Sequence, residues 1–174
     1  SIRPIDTLAA FKESLEKILL NSILNTRFSI LSKAKDSSFV YSSIYNYPLN
    51  KDTGIYAISA LIKGENIDKS ITDIINNIKN ISSNGVSTQE LENEKLNLLN
   101  NLKNIVNNKE SIKNDVYIDS IVDYILNNNI FIEPDIEYEL TEQILKNITI
   151  DDLKKIASNL ISLNYNVLIT SRDN

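Results

Sequence analysis

Histidine, cysteine, methionine and tryptophan are absent from this 174-residue chain, and glycine and proline occur three times each. Without histidine there is no imidazole, the group on which most hydrolytic zinc sites and most neutral-pH acid–base schemes rely. Without cysteine, disulfides and thiolate chemistry are excluded, and the redox compartment leaves no mark. A reactive site would have to be made from Asp, Glu, Lys, Tyr or Ser alone. An excess of positive charge is also lacking: 18 Lys and Arg against 23 Asp and Glu give a formal charge of -5. Nucleic-acid binding needs clustered cations, so a phosphate backbone is not an expected partner. There is no apolar run long enough to cross a bilayer and no charged-then-apolar leader, so a soluble chain without a membrane span is expected. Glycine-rich phosphate loops, nucleophile elbows and dinucleotide fingerprints are missing too.

What is present is a punctuated pattern of helices and strands. A chain of this length ordinarily forms one domain with a single core, so residues 1–174 are read as one unit. Between Phe11 and Ile30, apolar residues recur at three- and four-residue steps opposite Lys12, Glu13, Glu16 and Lys17, which predicts a long amphipathic helix over 7–32, capped by Asp6 or Thr7. The period then changes to two. Phe39, Tyr41, Tyr45 and Tyr47 share one parity, the mark of a strand with an aromatic face, and such a face is expected to be core. A short connection leads to a second apolar strand over 54–62, predicting an antiparallel hairpin.

A helix is expected from Asn66 to a turn at 82–85. Ser87 and Glu90 then stand at capping-box spacing and start another, carrying Leu91, Leu98, Leu99, Leu102, Ile105 and Val106. A further helix is expected over 112–126, an irregular passage through Pro134, and a short helix over 137–145. Thr149 and Asp152 repeat the capping box ahead of Leu153, Ile156, Ala157 and Leu160. Residues 165–170 read as a last strand returning to the sheet. The order predicts an α+β fold, a mainly antiparallel sheet with several helices packed on one face.

Candidate chemistry is sparse. Glu90, Glu92 and Glu94 resemble an acidic cluster, but first-turn carboxylates already suit the helix dipole and the cap. Asp151 and Asp152 have the same reading. Asp135, Glu137, Glu139 and Glu142 lack calcium-loop spacing and read as a solvated face. Arg27, the lone arginine of the first helix, either complements the helix C-terminus or binds an anion.

Three stretches together resemble insulinase/pitrilysin-type zinc peptidases: Asn25-Thr26-Arg27-Phe28 closing a long helix, the Gly54-Ile55-Tyr56-Ala57-Ile58 strand, and Gly85-Val86-Ser87-Thr88-Gln89-Glu90-Leu91-Glu92 turning into a helix. Pro134 to Glu139 and Thr149 to Leu153 are similar to bacterial members in which several such domains are fused. The resemblance implies a metallopeptidase half-domain of the LuxS/mitochondrial-processing-peptidase-like type. Its catalytic counterpart carries His-x-x-Glu-His, which a chain without histidine cannot supply.

By this resemblance the chain would be a non-catalytic second domain, a fragment of a longer chain from the bacterial cytoplasm or periplasm. It would hold no cofactor and no metal of its own. Zinc would sit in the neighbouring catalytic domain, of the same or a partner chain, and the two would wall a chamber for unfolded peptide. In the zinc-less half of these enzymes an arginine, with a tyrosine seven residues later, can assist at the active site. Arg27 matches the arginine as a candidate substrate-binding residue, but the tyrosine position is Ala34. The alternative is a free-standing non-catalytic partner subunit or interaction module of the same fold. A metal-independent enzyme using the acidic patches is a third reading.

Overall fold

The computed structural model describes residues 6–50, 53–109 and 132–170. In order, these form helix α1 (Leu8–Ser32), strands β1 (Phe39–Asn50) and β2 (Thr53–Ile62), then helices α2 (Ile67–Asn84), α3 (Thr88–Asn107), α4 (Pro134–Leu145) and α5 (Ile150–Ser162). The protein is thus α+β, with a two-stranded antiparallel sheet and five helices among the described residues. The helix expected over 112–126 lies outside the described residues.

α1 is the centre of the core. Its N-cap is Thr7, whose hydroxyl accepts the Ala10 amide at 3.2 Å. The pairs Leu19-Leu20 and Ile23-Leu24 are all buried, a stripe wider than a one-sided amphipathic helix needs. That breadth fits its position, because α1 meets β1 on one side and α2, α3 and α5 on others. α2 and α5 pack together and α3 packs on α4, enclosing Ile81, Leu145, Ile148 and Leu153. Each such fully buried side chain contributes about 1.5–3 kcal/mol by leaving water.

The caps agree closely with the sequence. Ser87 and Glu90, and Thr149 and Asp152, form complete capping boxes. Asn66 precedes α2 without a side-chain cap and instead donates to the Lys63 carbonyl. Residues 82–84 continue α2, so the turn narrows to Gly85, whose φ of +79° is a conformation that L side chains rarely adopt. Pro134 opens α4 rather than interrupting the chain, since a helix's first position needs no N–H. On α3 Leu91 is buried, Leu98, Leu99, Leu102 and Val106 are half-buried, with Leu98 and Leu99 against the core, and of the expected apolar stripe Ile105 alone is exposed.

Two expectations about the sheet are corrected. The tyrosines are not core. Phe39 pairs with Ile62 but Tyr41 pairs with Leu61, so one extra residue, Val40, bulges from β1 and reverses its parity. Phe39, Ser42 and Ile44 therefore face inward and are buried, whereas Tyr41, Tyr45 and Tyr47 face out and are exposed. The second correction concerns residues 165–170, which form no strand: they pair with no strand among the described residues, and Leu168 is 89% exposed. Their composition favours an extended chain, yet a strand also needs a partner edge, and on β1 the outward backbone groups of Ile44 are already taken. There the Asn25 carboxamide, reaching from α1, donates to the Ile44 carbonyl at 3.1 Å and accepts the Ile44 amide at 2.8 Å. It satisfies the outer edge of β1 at mid-strand as a neighbouring strand would.

Candidate functional site

Two features carry the chemistry the chain offers: a polar clasp between α1 and α3, and the outward face of the hairpin. Ser22, Thr26 and Arg27 share one face of α1 and meet Glu90 and Glu94, four residues apart on α3. Arg27 grips Glu90 with both arms of its guanidinium, Nε to Oε1 at 2.6 Å and Nη2 to Oε2 at 2.9 Å, while Nη1 reaches Asn80 Oδ1 at 3.5 Å. The same carboxylate accepts the Ser87 amide at 2.8 Å, so it ties α1 to the start of α3 and caps that helix. The Arg27 hydrogen bonds, opposed by burial and reinforced by Ser87, pull the Glu90 carboxyl down to about 2. Glu94 accepts Ser22 Oγ at 2.7 Å and Thr26 Oγ1 at 3.3 Å, and Glu92 pairs with Lys95 at 3.0 Å. All three glutamates are thus engaged, and Arg27 faces a carboxylate inside the domain.

The second acidic group does not converge either. Asp135 pairs with Lys109 at 2.6 Å and Glu142 lies 4.0 Å from Lys146, while burial pushes the Glu137 carboxyl up. Asp152 caps α5 and meets Lys12 at 3.4 Å. Among the described residues no three acidic, histidine or cysteine side chains are placed to hold a metal ion. With neither imidazole nor thiolate available and no such convergence of carboxylates, these residues do not fit a zinc site.

The outward hairpin face is different in kind. Tyr41, Ser43, Tyr45 and Tyr47 on β1 stand opposite Leu61, Ser59, Ala57 and Ile55 on β2. Tyr45 and Tyr47 stack with ring centroids 6.0 Å apart, and Tyr41, Tyr45, Tyr47 and Leu61 are each more than 40% exposed. The result is a pleated apolar surface with phenol and serine hydroxyls on it. Such a surface suits contact with polypeptide, because tyrosine brings large, stiff area and a hydrogen-bonding tip. It holds no activated nucleophile or base. The remaining strand tyrosine, Tyr56, points inward, and burial with a further push from Glu13 moves its phenol up to about 12, so it stays neutral.

The exposed tyrosine face was missed from the sequence because parity alone placed it inward. The signal that could have found it is the run Ser42-Ser43 between aromatics, which puts a serine on both faces and leaves the burial side undecided.

Known proteins share this outline. Residues 7–98 match the family model described as the Peptidase M16 inactive domain. No curated protein sequence matches the chain. Among solved structures, the first half of the periplasmic protease PqqL from Escherichia coli superposes with a TM-score of 0.82 at 20% identity, over 92% of this chain and 34% of that one. The PqqL structure without that restriction gives 0.84 at 18% identity, over 92% and 18%. A predicted insulinase family protease from Yersinia pestis gives 0.77 at 16% identity, over 92% and 35%. The chain therefore spans about a third or less of the structures it resembles, and the likeness at these identities concerns the fold.

Proposed function

The chain belongs to the peptidase M16 inactive-domain family, and on that footing we propose that it is the zinc-less partner region of a longer zinc metallopeptidase. In this reading it packs against a catalytic domain and forms part of the wall of a peptide-binding chamber. The tyrosine-lined outer face of the hairpin carries the proposal. An isolated soluble domain normally keeps such apolar strand faces covered, and a contiguous exposed patch marks a contact surface. Its chemistry suits an unfolded peptide, which presents both side chains and unpaired amides to the hydroxyls of Tyr41, Tyr45 and Tyr47.

Hydrolysis itself belongs, in this proposal, to the neighbouring domain, where zinc would lower the pKa of its bound water. This chain supplies binding surface and rigidity. Arg27, the substrate-binding candidate, serves here through Glu90: it fixes α1 on α3 behind the hairpin. Direct contact with substrate would require that bidentate pair to open.

The test is peptidase activity of the 174-residue chain and of its full-length parent, each with zinc and with a chelator. The proposal expects cleavage by the parent alone, abolished by the chelator. Replacing Tyr41 and Tyr45 with serine in the parent should raise KM for unfolded peptide severalfold with kcat little changed, because uniform binding area is lost. Cleavage by the isolated chain, or a parent indifferent to those substitutions, would refute the reading.

A further inference from the structure

We infer that the outer hairpin face selects an aromatic side chain from an uncharged stretch of peptide, and that the ring enters a gap over Ser43 between Tyr41 and Tyr45. The inference rests on the reading of that face as a peptide-binding wall, and it names which peptides the wall favours.

Neighbouring positions on one face of a strand are two residues apart, about 6.6–6.8 Å. The outward positions of β1 run Tyr41, Ser43, Tyr45, Tyr47, so they form a column of rings in which one rung is a serine. Where adjacent rungs are both tyrosine, at Tyr45 and Tyr47, the rings stack at 6.0 Å with 25° between their planes. The strand repeat therefore already sets rings at a separation at which they attract. Tyr41 and Tyr45 are four residues apart, about 13 Å along the strand. A ring inserted midway lies about 6.5 Å from each, inside the roughly 4.5–7 Å range of stacked and edge-on pairs. It completes the column.

Both walls of the gap are open to an incoming group, for Tyr41 is 56% and Tyr45 45% exposed. The floor is polar. Ser43 and Ser59 stand opposite each other with their Oγ atoms 3.3 Å apart. One O–H is spent on that bond, which leaves the other O–H and acceptor lone pairs for the tip of a phenol or indole. Leu61, across from Tyr41 and exposed, extends the apolar wall.

Charge decides the rest of the preference. Charged residues make up 24% of the chain, yet neither β1 nor β2 (Thr53–Ile62) contains one among its described residues. Soluble surfaces ordinarily intersperse charges of both signs. On this face a Lys or Glu side chain would lose water with no counter-ion to replace it. Tyrosine and serine hydroxyls both donate and accept, so they satisfy the neutral amides of a peptide backbone. The neutral surface thus suits a neutral segment, and the ring gap supplies the selectivity within that class.

Fluorescence anisotropy on the full-length parent in chelator reads binding without cleavage. The probes are end-blocked, labelled peptides of Ser, Thr, Asn and Gly whose central residue is Tyr, Phe, Leu, Lys or Glu. The tyrosine peptide should bind about five- to tenfold more tightly than the leucine peptide. Phenylalanine should fall between them, with lysine and glutamate weakest. Ser43→Tyr fills the gap from the protein's side, so it should abolish the preference for tyrosine over leucine and leave leucine affinity little changed. Ser43→Ala should narrow the difference between tyrosine and phenylalanine. Position 43 faces outward, so both variants should melt as the wild type does.

Equal affinity of the wild type for tyrosine and leucine peptides would overturn the inference, whatever the variants do. So would selectivity retained in Ser43→Tyr, which would put the ring elsewhere, or tightest binding of the lysine peptide, since the rings would then be cation–π sites. The two readings fail separately. Selective binding by a parent without peptidase activity would sink the proposed function alone. A zinc-dependent parent that needs Tyr41 and Tyr45 but binds tyrosine and leucine peptides alike would sink this inference alone.

Discussion

Arg27 and Glu90 are 63 residues apart in sequence and joined by two parallel hydrogen bonds of 2.6 and 2.9 Å. The pair does two things at once, because Glu90 is also the reciprocal half of the α3 capping box. Arg27→Ala should therefore destabilise the domain by about 1–2 kcal/mol, at the lower end for a charge-assisted pair because the site is partly exposed. Denaturant titrations of Arg27→Ala, Glu90→Gln and the double variant would measure the coupling. Additive effects would show that the pair contributes nothing as a pair. Arg27→Lys should recover less than half of the loss, since an ammonium cannot reproduce the two-armed grip.

The same pair predicts acid sensitivity. The Glu90 carboxyl is held at about 2 in the folded protein against 4.5 as its ordinary value. Between these limits the unfolded chain binds the proton more readily, so stability present above pH 4.5 is lost as the pH falls toward 2. Thermal melts of the wild type and Glu90→Gln should converge over that interval. Parallel curves would mean that Glu90 is not the group responsible.

Gly85 and Gly64 make a matched comparison. Both have positive φ, +79° and +58°, but a Cβ on Gly85 would lie 2.5 Å from Ile150 Cγ2, whereas one on Gly64 would meet nothing within 4 Å. Gly64→Ala should cost about 1 kcal/mol, the backbone penalty alone. Gly85→Ala should cost about 2–4 kcal/mol, because overpacking against α5 adds to it. Combining Gly85→Ala with Ile150→Ala should give less than the sum of the two single losses. Equal costs at the two glycines would refute the close approach.

The two faces of the hairpin should differ sharply on truncation. Phe39→Ala, on the inner face, removes a fully buried ring and should cost about 3–5 kcal/mol, as should Phe28→Ala on α1. Tyr45→Ala, on the outer face, should change the stability of the isolated chain by no more than about 0.5–1 kcal/mol. A Tyr45 loss as large as that of Phe39 would place the tyrosines in the core after all.

The local elements were legible in the sequence because their causes are local. Thr7, Ser87 and Thr149 start helices by offering an oxygen to the amide three residues on, and Gly85 ends one because a Cβ is excluded there. The hairpin was legible from its period of two and its short turn. The open tyrosine face was not, since one bulged residue reverses every side chain after it and the bulge has no marker of its own.

The sequence by itself determined where the described helices and hairpin stand, that imidazole and thiolate chemistry are closed to the chain, and that Arg27 is the only arginine between residues 4 and 171. Only the tertiary structure decided that Arg27 is matched to Glu90, that Asn25 takes the outward backbone groups of Ile44 on β1, and that residues 165–170 pair with no strand among the described residues. The physical reason is range. A cap or a hydrophobic period is set within one or two turns, whereas an ion pair, a sheet edge and a strand partner depend on what distant segments bring to them.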